Sequence, residues 1–330
     1  MNASASLNQN WILGQGCLHP LTRLWSKYKF KALGEPGSLA SKRRFSEFRL
    51  KSLGAIDTEV TKRPLDFDQI NVVTDRSVLE RIEERFKDKN GRSLQGLLTA
   101  DINSRVLVDV ETRFPQASLL TSESVEWLNA LTPWTGELLR AMISWVVPIY
   151  HEKYGRPFRR GFSHMEYLGA IFTTFAERAE QGEEWRRSVL AVDLAHELGH
   201  QALMLYQLTD KILLTPLDAP VYSTVRRTDR PAIFALHACV AAAYMIETCI
   251  AIERAKLSSP LEREFARNSI SELVPHQRIG LESLRKVSKF TQIGQLIFDE
   301  LEGQISEIHP RVSARDSSQP SISYFGLLSP

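Results

Sequence analysis

Hydrophobic positions recur along the first half of the chain mainly at helical spacing. The segment RSVLERIEERFKDK (76–89) alternates apolar and charged positions as an amphipathic helix does. The segment GELLRAMISWVVPIY (136–150) is predicted to be a largely buried helix. Ser163 and Glu166 have the spacing of a capping box, which predicts a further helix from HMEYLGAIFTTFAERAEQ (164–181).

The second half has the same character, with one interruption. The stretch AVDLAHELGHQALMLY (191–206) reads as a core helix, and the Pro-rich segment 213–231 is predicted to be an irregular loop. Residues 230–252 are predicted to form one long apolar helix, and amphipathic helices follow from 260 to 305. Strand-like alternation is scarce. The pattern therefore predicts a mainly α protein with a helical bundle-like domain.

The chain divides into three parts by composition. Residues 1–65 mix Gly, Ser, Pro and basic residues and are predicted to be a loosely organised N-terminal region. Its cationic stretch SKRRFSEFRLK is either a solvated helix face or a docking site for a peptide or leader. Residues 66–308 are predicted to form a helical metal-binding catalytic domain, and residues 309–330 a weakly ordered tail.

Bulk composition narrows the class of protein. Of 330 residues, 43% are hydrophobic and 24% are charged, which is ordinary for a soluble globular protein. A net charge of +2 gives no reason to expect nucleic-acid or membrane binding. Three cysteines are too few for a disulfide framework, and the N-terminus lacks the features of a signal peptide. A cytoplasmic location is expected.

The sequence HELGH at 196–200 carries the most specific chemistry. Residues four apart on an α-helix differ by about 40° in direction and roughly 6 Å in rise, so His196 and His200 project side by side and can share one metal ion. Asp193 lies one turn earlier, where it can orient an imidazole, and Glu197 borders the pair. The alternative is that both histidines are hydrogen-bonded core residues.

A third metal ligand must come from elsewhere in the chain. Leu203 and Tyr206 stand where the extended metallopeptidase signature requires Gly and His, which excludes that variant. His237 and Glu247 are the remaining candidates. On the predicted helix 230–252 they point about 80° apart, so they are not expected to bind the same ion, and both stay open as the third ligand.

Arg230 distinguishes two chemistries. On the predicted helix it lies two turns before His237 on the same face, about 10 Å from it. There it either pairs with Asp229 or Asp218, or binds the far carboxylate of a dicarboxylic 2-oxo acid that chelates the metal. A zinc peptidase has no use for such a group, whereas an Fe(II) oxygenase does.

These residues resemble the α-ketoglutarate-dependent peptide β-hydroxylases of the HExxH type, which modify ribosomal peptide natural products. The resemblance covers roughly residues 185–255 and rests on four stretches in this chain: HELGH (196–200), STVR (223–226), RP (230–231) and LHA (236–238). Thr224–Val225 replace the family's Pro-Trp pair, and Ala238 stands where the family has Gly.

The resemblance implies His196, His200 and His237 near iron, Arg230 near the cosubstrate and Arg226 as a secondary contact for its negative charge. The cofactors would be Fe(II) and 2-oxoglutarate, and the partner a peptide, possibly a leader-bearing precursor. Two alternatives remain. A zinc metallopeptidase would use His196, His200 and Glu247 as ligands and Glu197 as general base, and a third class is a non-catalytic, metal-stabilised helical binding protein.

Overall fold

A computed structural model describes residues 70–86, 102–106, 109–153, 156–157, 161–175, 185–209 and 211–312. Helices make up most of this part, so the prediction of a mainly α protein is confirmed. In chain order the helices are α1 (Arg76–Phe86), α2 (Val110–Arg113), α3 (Ala117–Leu131), α4 (Pro133–Met142), α5 (Arg186–Thr209), α6 (Ala232–Arg254), α7 (Pro260–Val287) and α8 (Gln292–Val312). The predicted N-terminal region 1–65 lies outside the described residues. The last helix extends four residues into the predicted tail 309–330.

A mixed sheet, which the sequence pattern did not predict, packs beside the helices. The strands are β1 (Asn71–Val72), β2 (Ile102–Val106), β3 (Trp145–Lys153), β4 (Arg156–Pro157), β5 (Gly161–Phe162), β6 (Ala170–Thr173), β7 (Pro220–Ser223) and β8 (Thr228–Pro231). The first half of β3 runs parallel to β1 and β6, and its second half pairs antiparallel with β2 and β4. Strand β5 pairs antiparallel with β6, and β7 and β8 form a separate hairpin.

Two predicted helices are wrong, for one physical reason. The segment 136–150 is helical only to Met142 and then becomes β3, while 164–181 contains a short 3-10 turn followed by β6 in its described part. Strands buried on both faces are continuously apolar, so their sequence lacks the period of two that marks a half-buried strand. Ser163 does not cap a helix, because its hydroxyl bonds to Glu197. The capping box in the described part joins Ser259 to Glu262 at the start of α7.

Helix α6 is the centre of the helical layer. It is long and apolar enough to span a membrane. However, 78% of its most apolar 18-residue stretch is buried inside the protein, where the helix packs against α5 and α7. Its cysteines, Cys239 and Cys249, are buried and free. Burial of a helix on every side accounts for its near-uniform hydrophobicity.

Helices α5 and α6 meet without a side chain between them at Gly199. A Cβ atom at this position would lie 2.8 Å from the Cα of Ala241 and 3.2 Å from Cδ2 of Tyr244. Backbone atoms cannot yield as a flexible side chain can. Gly199 therefore sets the distance between the two helices that carry the candidate site.

We expect Gly199→Ala to destabilise the protein. Overpacking costs about 1–3 kcal/mol, and the higher helix propensity of alanine returns at most about 1 kcal/mol. Urea unfolding followed by circular dichroism measures the difference. Gly303→Ala is the matched control, because a Cβ there meets nothing within 4 Å, and this variant should be slightly more stable than the wild type. Equal stability of the two variants would contradict the proposed close contact.

Candidate metal centre

His196 and His200 lie side by side on α5, as their spacing predicts. Their Nε2 atoms are 3.0 Å apart. Nδ1 of His196 lies 2.9 Å from the Sδ atom of Met245 on α6. A thioether sulfur accepts a hydrogen bond and cannot donate one, so the proton of His196 belongs on Nδ1 and its lone pair on Nε2.

His237 on α6 joins the pair from the other side of His200. The Nδ1 atoms of His200 and His237 are 3.4 Å apart, and Nε2 of His237 lies 2.9 Å from Oε1 of Gln207. With the amide oxygen of Gln207 as the acceptor, His237 carries its proton on Nε2 and presents the lone pair of Nδ1 to His200. Gln207 lies seven residues after His200, and that helical spacing was the available signal for it in the sequence.

With these proton positions the three rings together lack one hydrogen. His196 and His237 each direct a lone pair at His200, and a neutral His200 has a single N–H to offer to the two of them. One contact therefore brings two lone pairs together with no proton between them. A cation placed among the rings removes this repulsion, so the donor set fits a metal ion.

The ring of His200 decides whether the three nitrogens face one point. Within the described residues, no three His, Cys, Asp or Glu side chains are arranged as a complete ligand set. The reason is that His200 directs Nε2 at His196 and Nδ1 at His237. A half-turn about its Cβ–Cγ bond exchanges Nε2 with Cε1, the ring atom between these two nitrogens, and histidine rings adopt both orientations.

Burial keeps all three imidazoles neutral near pH 7. It lowers the pKa of His196 and of His237 to about 4. The pKa of His200 is also far below its usual value, first because of burial and then because of the neighbouring His196, His237 and Arg230. Neutral imidazole is the form that binds a metal, so no proton has to leave these rings.

Glu197 is held against strand β5. The hydroxyl of Ser163 donates a 2.8 Å hydrogen bond to its Oε2. A Cβ atom at Gly161 would lie 2.8 Å from its Oε1, so a larger residue at this position would displace the carboxyl group. Oε1 lies 3.9 Å from Nε2 of His196, at the border of the candidate metal position. Burial raises the pKa of Glu197 to about 8, although the Ser163 bond acts in the opposite direction.

Arg230 reaches the site from a strand rather than from a helix. The prediction of one helix over 230–252 is wrong at its start, because Arg230 belongs to β8 and α6 begins at Ala232. Its guanidinium group lies 5.1 Å from the ring centroid of Phe234 and is close enough to His200 to lower the pKa of that ring. Within the described part of the chain it has no carboxylate partner, and neither Asp229 nor Asp218 forms an ion pair with it.

The remaining predicted site residues lie outside the cluster of three histidines. Arg226 is half-buried in the turn between β7 and β8. Thr224, in the same turn, is buried and donates a 3.1 Å hydrogen bond to Gln277 on α7. Met245, not Glu247, contacts His196, and residues two apart on a helix point about 160° apart. Glu247 therefore faces away from the His196 ring.

Comparison with known proteins adds no family. No protein-family model matches this chain, and no curated protein matches it.

We expect Gln207→Leu to weaken metal binding by about 10- to 100-fold, because the hydrogen bond that orients His237 is lost. Gln207→Glu keeps an acceptor oxygen and should stay within a few-fold of the wild type. Titration of the metal-free protein with Co(II), followed by visible absorption, measures both. Gln295→Leu is the control, since Gln295 is exposed on α8 and bonds to Asp299. Unchanged affinity in Gln207→Leu would exclude an orienting role for Gln207.

Proposed function

We propose that this chain is an Fe(II)- and 2-oxoglutarate-dependent dioxygenase that hydroxylates a side-chain β carbon of a ribosomally made peptide in the cytoplasm. The observation that carries the proposal is a contiguous cluster of three buried, neutral imidazoles together with an arginine that has no carboxylate partner among the described residues. His196, His200 and His237 would hold the metal ion.

Arg230 supports the oxygenase more than any single histidine does. Its guanidinium is half-buried, and burial lowers its pKa, so a bound carboxylate would compensate a charge that is partly removed from water. Its positive charge contributes to the lowered pKa of His200, which supports a position near the imidazole cluster. A dicarboxylate with one end among the histidines would reach it with the other end, and Arg226 would lie further along the same hairpin.

When bound, Fe(II) and 2-oxoglutarate would supply the oxidising chemistry, in which one atom of dioxygen becomes the new hydroxyl group and the other enters the succinate formed as the 2-oxo acid loses carbon dioxide. The residues of the chain bind and orient. Gln207 and Met245 would orient two of the rings that hold the metal, and Ser163 and Gly161 border the carboxyl group of Glu197 next to them.

Succinate release tests this proposal without knowledge of the peptide. Metal-free protein is loaded anaerobically with Fe(II) and 2-oxoglutarate, and succinate is measured after air is admitted. We expect a visible charge-transfer absorption on chelation of the 2-oxo acid, and succinate that requires both Fe(II) and dioxygen. Absence of both signals in folded protein would overturn the proposal.

Arg230→Ala should raise the KM for 2-oxoglutarate by about 10- to 100-fold, the factor that corresponds to loss of a charge-assisted hydrogen bond. Arg230→Lys keeps the positive charge but not the paired N–H groups, so its KM should lie between those of the wild type and Arg230→Ala. Arg267→Ala is the control, because Arg267 lies on α7 and pairs with Glu253. An Arg230→Ala enzyme with the wild-type KM would separate Arg230 from the cosubstrate.

A zinc metallopeptidase is the second candidate, and the position of Glu197 favours it. Its Oε1, 3.9 Å from Nε2 of His196, is within reach of a water bound to a metal there, as a general base requires. His237 would be the third ligand, because Glu247 faces away from the pair. Zinc-loaded protein that cleaves unfolded casein, and loses this activity in Glu197→Gln, would establish the peptidase. Protein that holds no metal at all would favour a non-catalytic binding protein.

A further inference from the structure

The guanidinium group of Arg230 rests beside the ring of Phe234. Its Cζ atom lies 5.1 Å from the ring centroid, within the range of a cation–π contact. Arg230 comes from β8 and Phe234 from the first turn of α6, on either side of Pro231. Phe234 also lies about one helical turn before His237 on α6. The ring therefore joins the arginine to the helix that carries the third imidazole.

Phe234 is exposed on a helix that is otherwise buried. Among the large apolar side chains of α6, a helix that the structure describes from end to end, Phe234 is the exposed one, with 49% of its surface accessible. A half-exposed ring contributes less to the core than a buried ring does. Its aromatic face, which is negative, is suited to hold a cation.

The contact differs from the other arginine–aromatic contacts of the described residues. Arg187 and Arg113 also lie over aromatic rings, but Arg187 donates to both carboxylate oxygens of Glu262 and Arg113 donates to Asp109. The guanidinium of Arg230 forms no hydrogen bond or ion pair within the described part of the chain. An aromatic face attracts a guanidinium without accepting hydrogen bonds from its N–H groups in the manner of a carboxylate. The N–H groups of Arg230 thus stay available to an incoming anion.

The start of α6 adds to the positive potential around Arg230. The first turn of this helix contains no acidic residue, and no side chain caps it. The positive end of the helix dipole is therefore not neutralised within the helix itself. Phe234 supplies the partial negative charge of a ring face without the full charge of a carboxylate. This arrangement holds Arg230 in place and keeps it ready for an anion.

We propose that Phe234 is a positioning residue for the cosubstrate, which holds the guanidinium of Arg230 where the far carboxylate of 2-oxoglutarate binds. The inference rests on the function proposed above and adds to it a residue that neither the HELGH motif nor ion pairing identifies. A guanidinium that is already held loses less conformational freedom when the carboxylate arrives. The ring thus contributes to affinity through Arg230, without touching the cosubstrate.

Binding of 2-oxoglutarate to the anaerobic, Fe(II)-loaded full chain, measured by calorimetry, tests this role. We expect Phe234→Leu to raise the dissociation constant about two- to fivefold, the factor that corresponds to an exposed cation–π contact. Phe234→Trp keeps an aromatic face and should restore the wild-type affinity. In succinate release, the effect of Phe234→Leu should appear in KM and not in kcat. Leu257→Ala is the control, because Leu257 is 79% exposed and lies beyond the other end of α6.

A double-mutant cycle separates positioning from simple packing. In the Arg230→Ala background, Phe234→Leu should have no further effect on 2-oxoglutarate binding, since the ring acts through the guanidinium. A loss of affinity that persists in full without Arg230 would overturn the inference, as would a wild-type dissociation constant in Phe234→Leu. Both results leave the proposed function standing. Wild-type protein that binds no 2-oxoglutarate would overturn the proposed function and this inference together.

Discussion

The close contact of two helix backbones at Gly199 and Ala241 is the constraint on which the candidate metal centre depends. Helices α5 and α6 run antiparallel here, so His196 meets Met245, Gly199 meets Ala241 and His200 meets His237. These contacts follow from one register, and a shift of either helix would break them all. The candidate ligands therefore come from two rigid helices, which hold side chains more precisely than loops do.

Burial shifts the pKa values of the histidines and of Glu197 in opposite directions, and both shifts favour the uncharged form. It lowers the pKa of the histidines and raises the pKa of Glu197, so that each group prefers its uncharged form near pH 7. These uncharged forms avoid buried charge. A cation at the histidines would reverse the preference of Glu197, because a positive charge nearby lowers the pKa of a carboxyl group. Metal binding and loss of the Glu197 proton would be coupled for this reason.

The sequence predicted the structure correctly where a strong helical period coincided with a local motif. It predicted α6, the helix at Arg76–Phe86 and the pairing of His196 with His200, each of which depends on residues close in the chain. It missed β3 and β6, whose apolar runs have no period, and it could not identify Ser163 or Gly161 as neighbours of Glu197. Those contacts join residues about 35 positions apart, and they exist only because β5 crosses α5. The proximity of Arg230 to the histidines was expected from a helix and arises instead from a hairpin.

Helix α6 explains why two polar regions can lie in one apolar core. Its sequence is hydrophobic on all sides, and each buried polar side chain on it lowers stability relative to an apolar residue of similar size unless it is fully paired. His237 on the α5 side is paired through Gln207 on one nitrogen, and Tyr244 and Glu247 have oxygens without donors among the described residues. The imidazole cluster offers nitrogen lone pairs of the kind that a transition metal binds, so a cation there would compensate for the polar side chains that this apolar helix buries.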